Sequence, residues 1–172
     1  DQETCMVDVA RYFLSFVQRE SCGKCTPCRI GTKRMLEILQ NICDGKAEPE
    51  DLDRLEKLAN DVNNASLCGL GQTAPNPVLS TLRWFRDEYE AHIFDRKCPA
   101  GECTSMRTMH IDADKCIGCT LCARKCPTNA IKKKKKAPHY IIEDRCIGCG
   151  ACMDVCKVEA IEVVKKKKKG LS

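Results

Sequence analysis

A chain of 172 residues with sixteen cysteines is either a disulfide-stapled secreted domain or a metal protein. No apolar leader is visible, and twelve of the cysteines lie in C-x-x-C-x-x-C runs or partner them, so metal ligation and a cytoplasmic setting are expected. The formal charge of +5 counts every thiol as neutral, and three four-iron clusters at about −2 each would bring it to about −1, so the charge makes no case for nucleic acid. No apolar run approaches the roughly 18 to 20 residues that a membrane span needs. The chain opens at Asp1 in mid-pattern and reads as a piece of a longer polypeptide, with a shift in composition near residue 95.

Residues 1–92 read as a helical iron–sulfur domain whose start is truncated. Apolar residues recur at helical spacing in four stripes: Val9, Tyr12, Phe13, Phe16 and Val17; Met35, Leu36, Leu39 and Ile42; Leu52, Leu55, Leu58, Ala59 and Val62; Val78, Leu79, Leu82, Phe85 and Tyr89. Pro49 and Asn76-Pro77 are start signals, and Asp44-Gly45 is a stop. Four helices with short connections predict an antiparallel bundle, with each stripe turned to the core. The fold class is therefore α+β: a four-helix bundle carrying one cluster, then a smaller duplicated domain.

Residues 93–108 form a cysteine-containing connector, 109–164 a two-cluster domain, and 165–172 a lysine-rich tail. Ile111 to Ile131 aligns with Ile141 to Ile161 at an offset of 30, with ten of 21 positions identical, all four cysteines among them. Met109-His110-Ile111, Tyr140-Ile141-Ile142 and Ile161 to Val164 read as short strands. Lysine runs at Lys132 to Lys136 and Lys165 to Lys169 are expected to be solvated, or to dock an acidic redox partner such as a soluble ferredoxin.

The double run carries the strongest chemistry. Cys116-x2-Cys119-x2-Cys122-x3-Cys126-Pro127 is the bacterial two-cluster ferredoxin pattern, and Cys146, Cys149, Cys152 and Cys156 repeat it. Two-residue gaps let a tight loop aim three sulfurs at one cubane, while the fourth cysteine serves the other cluster. One [4Fe-4S] set is then Cys116, Cys119, Cys122 and Cys156, and the other is Cys146, Cys149, Cys152 and Cys126. Zinc, the competing metal, prefers paired cysteines with a longer gap between pairs. Lys157 stands where the first copy has Pro127, so the two potentials are expected to differ.

A third triple run, Cys22, Cys25 and Cys28, precedes the second helix, and Cys68 precedes the fourth. Parallel helices share one end, so Cys68 is the expected fourth ligand of a third [4Fe-4S] cluster, with Cys43 or Cys5 next in line. Positive helix ends and loop amides would stabilise that anion.

Four cysteines are left over. The second and fourth helices end near Cys43 and His92, and Cys98 and Cys103 can fold back onto the same point, so Cys43, His92, Cys98 and Cys103 are proposed to bind Zn2+ and clamp the connector. Cys5 is expected to be a packed thiol. No catalytic constellation and no glycine-rich phosphate loop is visible.

Ser21 to Arg29, with Cys68 and the surrounding helices, resembles the C-terminal cluster domain of the NADH-oxidising flavoprotein subunit of complex I and its counterparts in NAD-linked hydrogenases and formate dehydrogenases. With a two-cluster ferredoxin fused behind it, the chain resembles the beta subunit of electron-bifurcating, NAD(P)-linked iron hydrogenases. That resemblance implies an oxidoreductase complex of an anaerobe, with FMN and NAD(P)H bound only in a preceding part. It also implies partner subunits, namely the hydrogenase catalytic subunit and a thioredoxin-like [2Fe-2S] subunit. An NAD-dependent formate dehydrogenase would use the same relay. A zinc-binding interaction protein is the alternative of a different class, separated from the others by colour.

Overall fold

A computed structural model describes residues 4–133 and 137–165. Most of both lysine runs lies outside the described residues. The chain divides into two compact units, Asp1–Cys103 and Thr104–Ser172. The first is helical and the second carries two small sheets, so the class is mixed helix and small sheet.

Among the described residues, six α-helices build the first unit: α1 Met6–Glu20, α2 Thr32–Cys43, α3 Glu50–Ala65, α4 Gly69–Thr73, α5 Asn76–Trp84 and α6 Arg86–Ile93. The expected fourth helix is broken at Phe85, whose φ of −133° and ψ of 37° are not helical, so it becomes α5 and α6. A short α4 also stands in the link before it. α1 packs on α2 and α5, and α3 packs on α2 and α5. Asp51 secures the start of α3 by accepting the Glu48 N–H at 3.0 Å and pairing with Arg54 at 2.9 Å.

The buried face of α1 differs from the expected stripe. Tyr12, Phe13 and Phe16 are 66%, 48% and 58% exposed, whereas Val7, Ala10 and Leu14 are fully buried. Close approach of α1 to two helices selects the face with small Ala10, and the aromatic face is left outside. In α2 and α3 the stripes do point inward: Met35, Leu39 and Ile42 meet Leu52, Leu55, Ala59 and Val62 in the core. Tyr89 of α6 is fully buried, and its hydroxyl is 2.8 Å from that of Thr81 on α5.

A single π-helical turn, Pro27–Gly31, leads into α2 and packs on α3. Gly31 is required there: a Cβ at this position would lie 2.2 Å from Val62 Cγ2. The wide turn delivers Cys28 to the interior, and its carbonyl accepts the Thr32 hydroxyl at 2.6 Å.

In the second unit, β1 (Arg107–Ile111) pairs antiparallel with β4 (Ile161–Lys165), and β2 (Ile131–Lys132) with β3 (Tyr140–Ile141). Ile111 faces Ile161, and Ile131 faces Ile141. The first flank of each repeat thus pairs with the last flank of the other. β2 was not among the expected strands. A short helix α7, Leu121–Lys125, follows the first cysteine loop. Backbone conformation follows the 30-residue offset: positive φ occurs at Gly118 and Gly148, at Thr120 and Gly150, and at Asn129 and Glu159.

Candidate metal centres

In the helical unit, Cys22 and Cys25 lie in the loop after α1, Cys28 in the π-turn, and Cys68 at the N-terminal boundary of α4. α4 packs on the π-turn, and a Cβ on Gly71 would sit 3.1 Å from Cys28 Cβ and 2.6 Å from Ser66 Cβ, so only glycine allows this approach. The backbone N–H of Leu67, then that of Cys28, holds the Cys25 thiol below its usual range, which brings the segment before Cys68 onto the triple run. Ser21 Oγ is 3.3 Å from Cys28 Sγ. The segment before Cys68 is therefore brought to the triple run by the π-turn and short α4, and not by the starts of two long parallel helices. Cys22 and Cys68 are exposed and Cys28 is buried.

At its other end the unit gathers Cys5, His92, Cys98 and Cys103. All four are buried, and their ligand atoms lie within 4.8 Å of one another. His92 Nε2 is 3.4 Å from Cys5 Sγ and 3.5 Å from Cys103 Sγ, and the two sulfurs are 3.8 Å apart. His92 Nδ1 lies 2.6 Å from the Glu88 carbonyl; donating there leaves Nε2 free to face the thiols. Hydrogen bonding with Cys103 and then Cys5 holds the Cys98 thiol far below its usual range. Burial pulls the His92 imidazole down, but Cys5 and then Cys98 outweigh it and raise it to about 10.

Cys5 takes the place in this group that the sequence pattern assigned to Cys43. The helix directions explain the exchange. α1 and α2 run antiparallel, so the start of α1 and the end of α2 share an end, and the start of α1 supplies the fourth donor. Met6 N–H donates to Glu88 Oε2 at 3.0 Å and ties the start of α1 to α6. Cys43 is buried close by, near enough to Cys103 to raise its thiol, but outside the four.

In the second unit the two cysteine runs are matched position by position. Cys116 and Cys146 are half-buried, Cys119 and Cys149 exposed, Cys122 and Cys152 buried, and Cys126 and Cys156 half-buried. Cys116, Cys119, Cys122 and Cys156 line one cavity, three residues from the first run and the last from the second. Cys126 Sγ accepts the Ala130 N–H at 3.3 Å, and Cys156 Sγ accepts the Ala160 N–H at 3.4 Å. Burial pushes the Cys122 thiol up and that of Cys152 to about 11. Burial acts the same way on Cys126, but the Thr128 hydroxyl and the Ala130 N–H prevail and lower it. Sequence reasoning passed over His139, which is 2% exposed and lines the same cavity as Cys116. The repeat alignment would have flagged it, because Met109 occupies the matching place.

These donor sets define an iron–sulfur protein region in two parts. Residues 8–92 match the family described as the NADH-ubiquinone oxidoreductase-F iron-sulfur binding region, and residues 109–163 match the 4Fe-4S dicluster domain. The chain carries both regions, one after the other. It is 55% identical over 139 residues to the NADP-reducing hydrogenase subunit HndC of Solidesulfovibrio fructosivorans, covering 81% of this chain and 28% of that protein. It is 46% identical over 99 residues to the NADH-quinone oxidoreductase F subunit of Streptomyces coelicolor, covering 58% of this chain and 22% of that one. Among solved structures it is similar to an NAD+-reducing [NiFe]-hydrogenase in the H2-reduced state, with a TM-score of 0.52 and 38% identity over 54% of this chain and 16% of that chain. The chain thus spans well under two thirds of each. No described helix is long and apolar enough to cross a membrane.

Proposed function

We propose that this chain is the electron-transfer region of a cytoplasmic, flavin-based, NAD(P)H-linked hydrogenase complex of an anaerobe. It holds three [4Fe-4S] clusters: one on Cys22, Cys25, Cys28 and Cys68 in a helical bundle, and two in a duplicated ferredoxin-like domain. Those two sit on Cys116, Cys119, Cys122 and Cys156, and on Cys146, Cys149, Cys152 and Cys126. The clusters supply one-electron carriage between the flavin site, in a part of the protein beyond this chain, and ferredoxin or the hydrogenase subunit, with bifurcation at the flavin.

The chain's own residues fix the ligand sulfurs and set the charge around them. The Ala130 and Ala160 N–H groups donate to Cys126 and Cys156, and at Cys126 the bond favours the thiolate form a metal needs. The observation that carries the reading is the cavity shared by Cys116, Cys119, Cys122 and Cys156, because sulfur from both runs around one space is what a crossed two-cluster ferredoxin requires.

Cys5, His92, Cys98 and Cys103 have the ligand number and chemistry of a structural Zn2+ site. Its role is to clamp the root of the connector to the helical unit. Five sulfur or nitrogen donors crowd this end if Cys43 is included, and the four whose atoms converge make the set.

Anaerobic iron and sulfide analysis with EPR of the reduced protein tests the reading. About twelve irons per chain and three four-iron signals are expected. Eight or fewer irons in fully loaded protein, or a colourless zinc protein, would refute it.

A further inference from the structure

The two ferredoxin-type sites are alike in ligand spacing, ligand burial and backbone turns, yet one buried neighbour differs. His139 precedes β3, is 2% exposed, and holds Nδ1 3.8 Å from Cys116 Sγ. Its Nε2 is buried and meets no hydrogen-bonding partner among the described residues. At the 30-residue offset the matching residue is Met109, also buried, whose side chain has no N–H to offer. The imidazole lines a cavity with three cysteines of one run and one of the other, and the sulfur of Cys116 is within reach of its Nδ1.

We propose that His139 is a positioning residue for the cluster on Cys116, Cys119, Cys122 and Cys156, and that its Nδ1–H donates to Cys116 Sγ and makes this the higher-potential centre of the pair. The inference rests on the cluster reading above. Reduction adds one electron to the centre, supplied by a low-potential one-electron donor, and the imidazole acts as a hydrogen-bond donor without giving up its proton. The added negative charge spreads onto the ligand sulfurs, and an N–H dipole aimed at one of them stabilises the reduced form. Burial strengthens that effect, because little water competes for the dipole. The neutral tautomer with the proton on Nδ1 leaves only a lone pair on buried Nε2, which is less costly than an orphaned N–H.

Lys157 follows Cys156 and biases the same centre in the same direction, but its side chain is exposed and acts through screened solvent. Salt therefore separates the two: the Lys157 contribution fades as ionic strength rises, and the His139 contribution persists.

The test is an anaerobic, EPR-monitored redox titration of the full chain in its complex, with dithionite as reductant, in the wild type, His139→Leu and His139→Asn. The affected signal is assigned by its loss in Cys119→Ser. In His139→Leu the reduced-to-oxidised ratio of that one centre at fixed potential falls about tenfold, equivalent to about 59 mV for a one-electron couple. The shift persists at high salt, and the other centres do not move. His139→Asn, which keeps a short side-chain N–H, restores most of the shift. Full cluster content with an unchanged potential in His139→Leu overturns the inference and leaves the cluster reading intact, as does an equal shift at both ferredoxin-type centres. If His139→Leu loses the cluster, His139→Asn decides. Full content at the wild-type potential upholds the donor, and full content at a lowered potential overturns it. A wild-type protein without these clusters overturns the cluster reading itself.

Discussion

Cys5 Sγ and His92 Nε2 are 87 residues apart in the chain and 3.4 Å apart in space. The contact joins the first helix to the last of its unit and leaves His92 Nδ1 facing the Glu88 carbonyl, as a metal-bound imidazole requires. With Cys98 and Cys103 beside them, the pair closes the helical unit at the end where the chain leaves it.

Zinc is expected at one per chain. Cys5→Ser, Cys98→Ser and His92→Ala should each remove it or weaken its binding at least about tenfold. Cys43→Ser should retain it. Elemental analysis of the purified variants decides the ligand set: zinc lost in Cys43→Ser and kept in Cys5→Ser would restore the ligand set read from the sequence.

Cys68→Ser should damage the bundle cluster and spare the other two. The expected readout is loss of one four-iron EPR signal of three, with iron falling from about twelve to about eight per chain. An unchanged spectrum would move the fourth ligand away from the start of α4.

The two faces of α1 should respond oppositely to substitution. Leu14→Ala empties a fully buried position and should cost about 2 to 5 kcal/mol. Phe16→Ser alters a side chain 58% exposed and should change the stability of the chain by no more than about 0.5 kcal/mol. Thermal unfolding at matched cluster content compares them, and a larger loss in Phe16→Ser would return the aromatic stripe to the core.

Gly31→Ala should destabilise the π-turn that presents Cys28. Its Cβ would meet Val62 Cγ2 at 2.2 Å, and forcing the turn from α3 should cost about 1 to 3 kcal/mol. A lower unfolding midpoint, partly recovered by adding Val62→Ala, is the expected pattern.

Much was legible because it is local. A cysteine run with two-residue gaps states its chemistry within seven residues, and the 30-residue repeat announces two matched copies. Helical segments were legible for the same reason, since apolar spacing reflects backbone geometry. The break at Phe85 was not, because Leu79, Leu82 and Tyr89 keep helical spacing across it while the backbone at one residue departs. The buried face of α1 was misjudged because Tyr12, Phe13 and Phe16 offer more apolar area than Val7, Ala10 and Leu14. Packing between α2 and α5 favours the face that lets backbones approach, whatever the area left outside.

The sequence by itself determined which residues are candidate metal ligands by runs: the spacing of Cys22, Cys25 and Cys28 and of the two later runs carries that information in consecutive residues. Only the tertiary structure decided which distant side chains join them. Cys5 stands nearer His92 than any spacing rule could say, because antiparallel α1 begins where α2 ends. His139 and Met109 occupy matching places in two repeats, yet only folding puts an imidazole against Cys116. Ligand identity is written along the chain, whereas convergence depends on helix direction and strand pairing, which are settled by the burial of the whole chain at once.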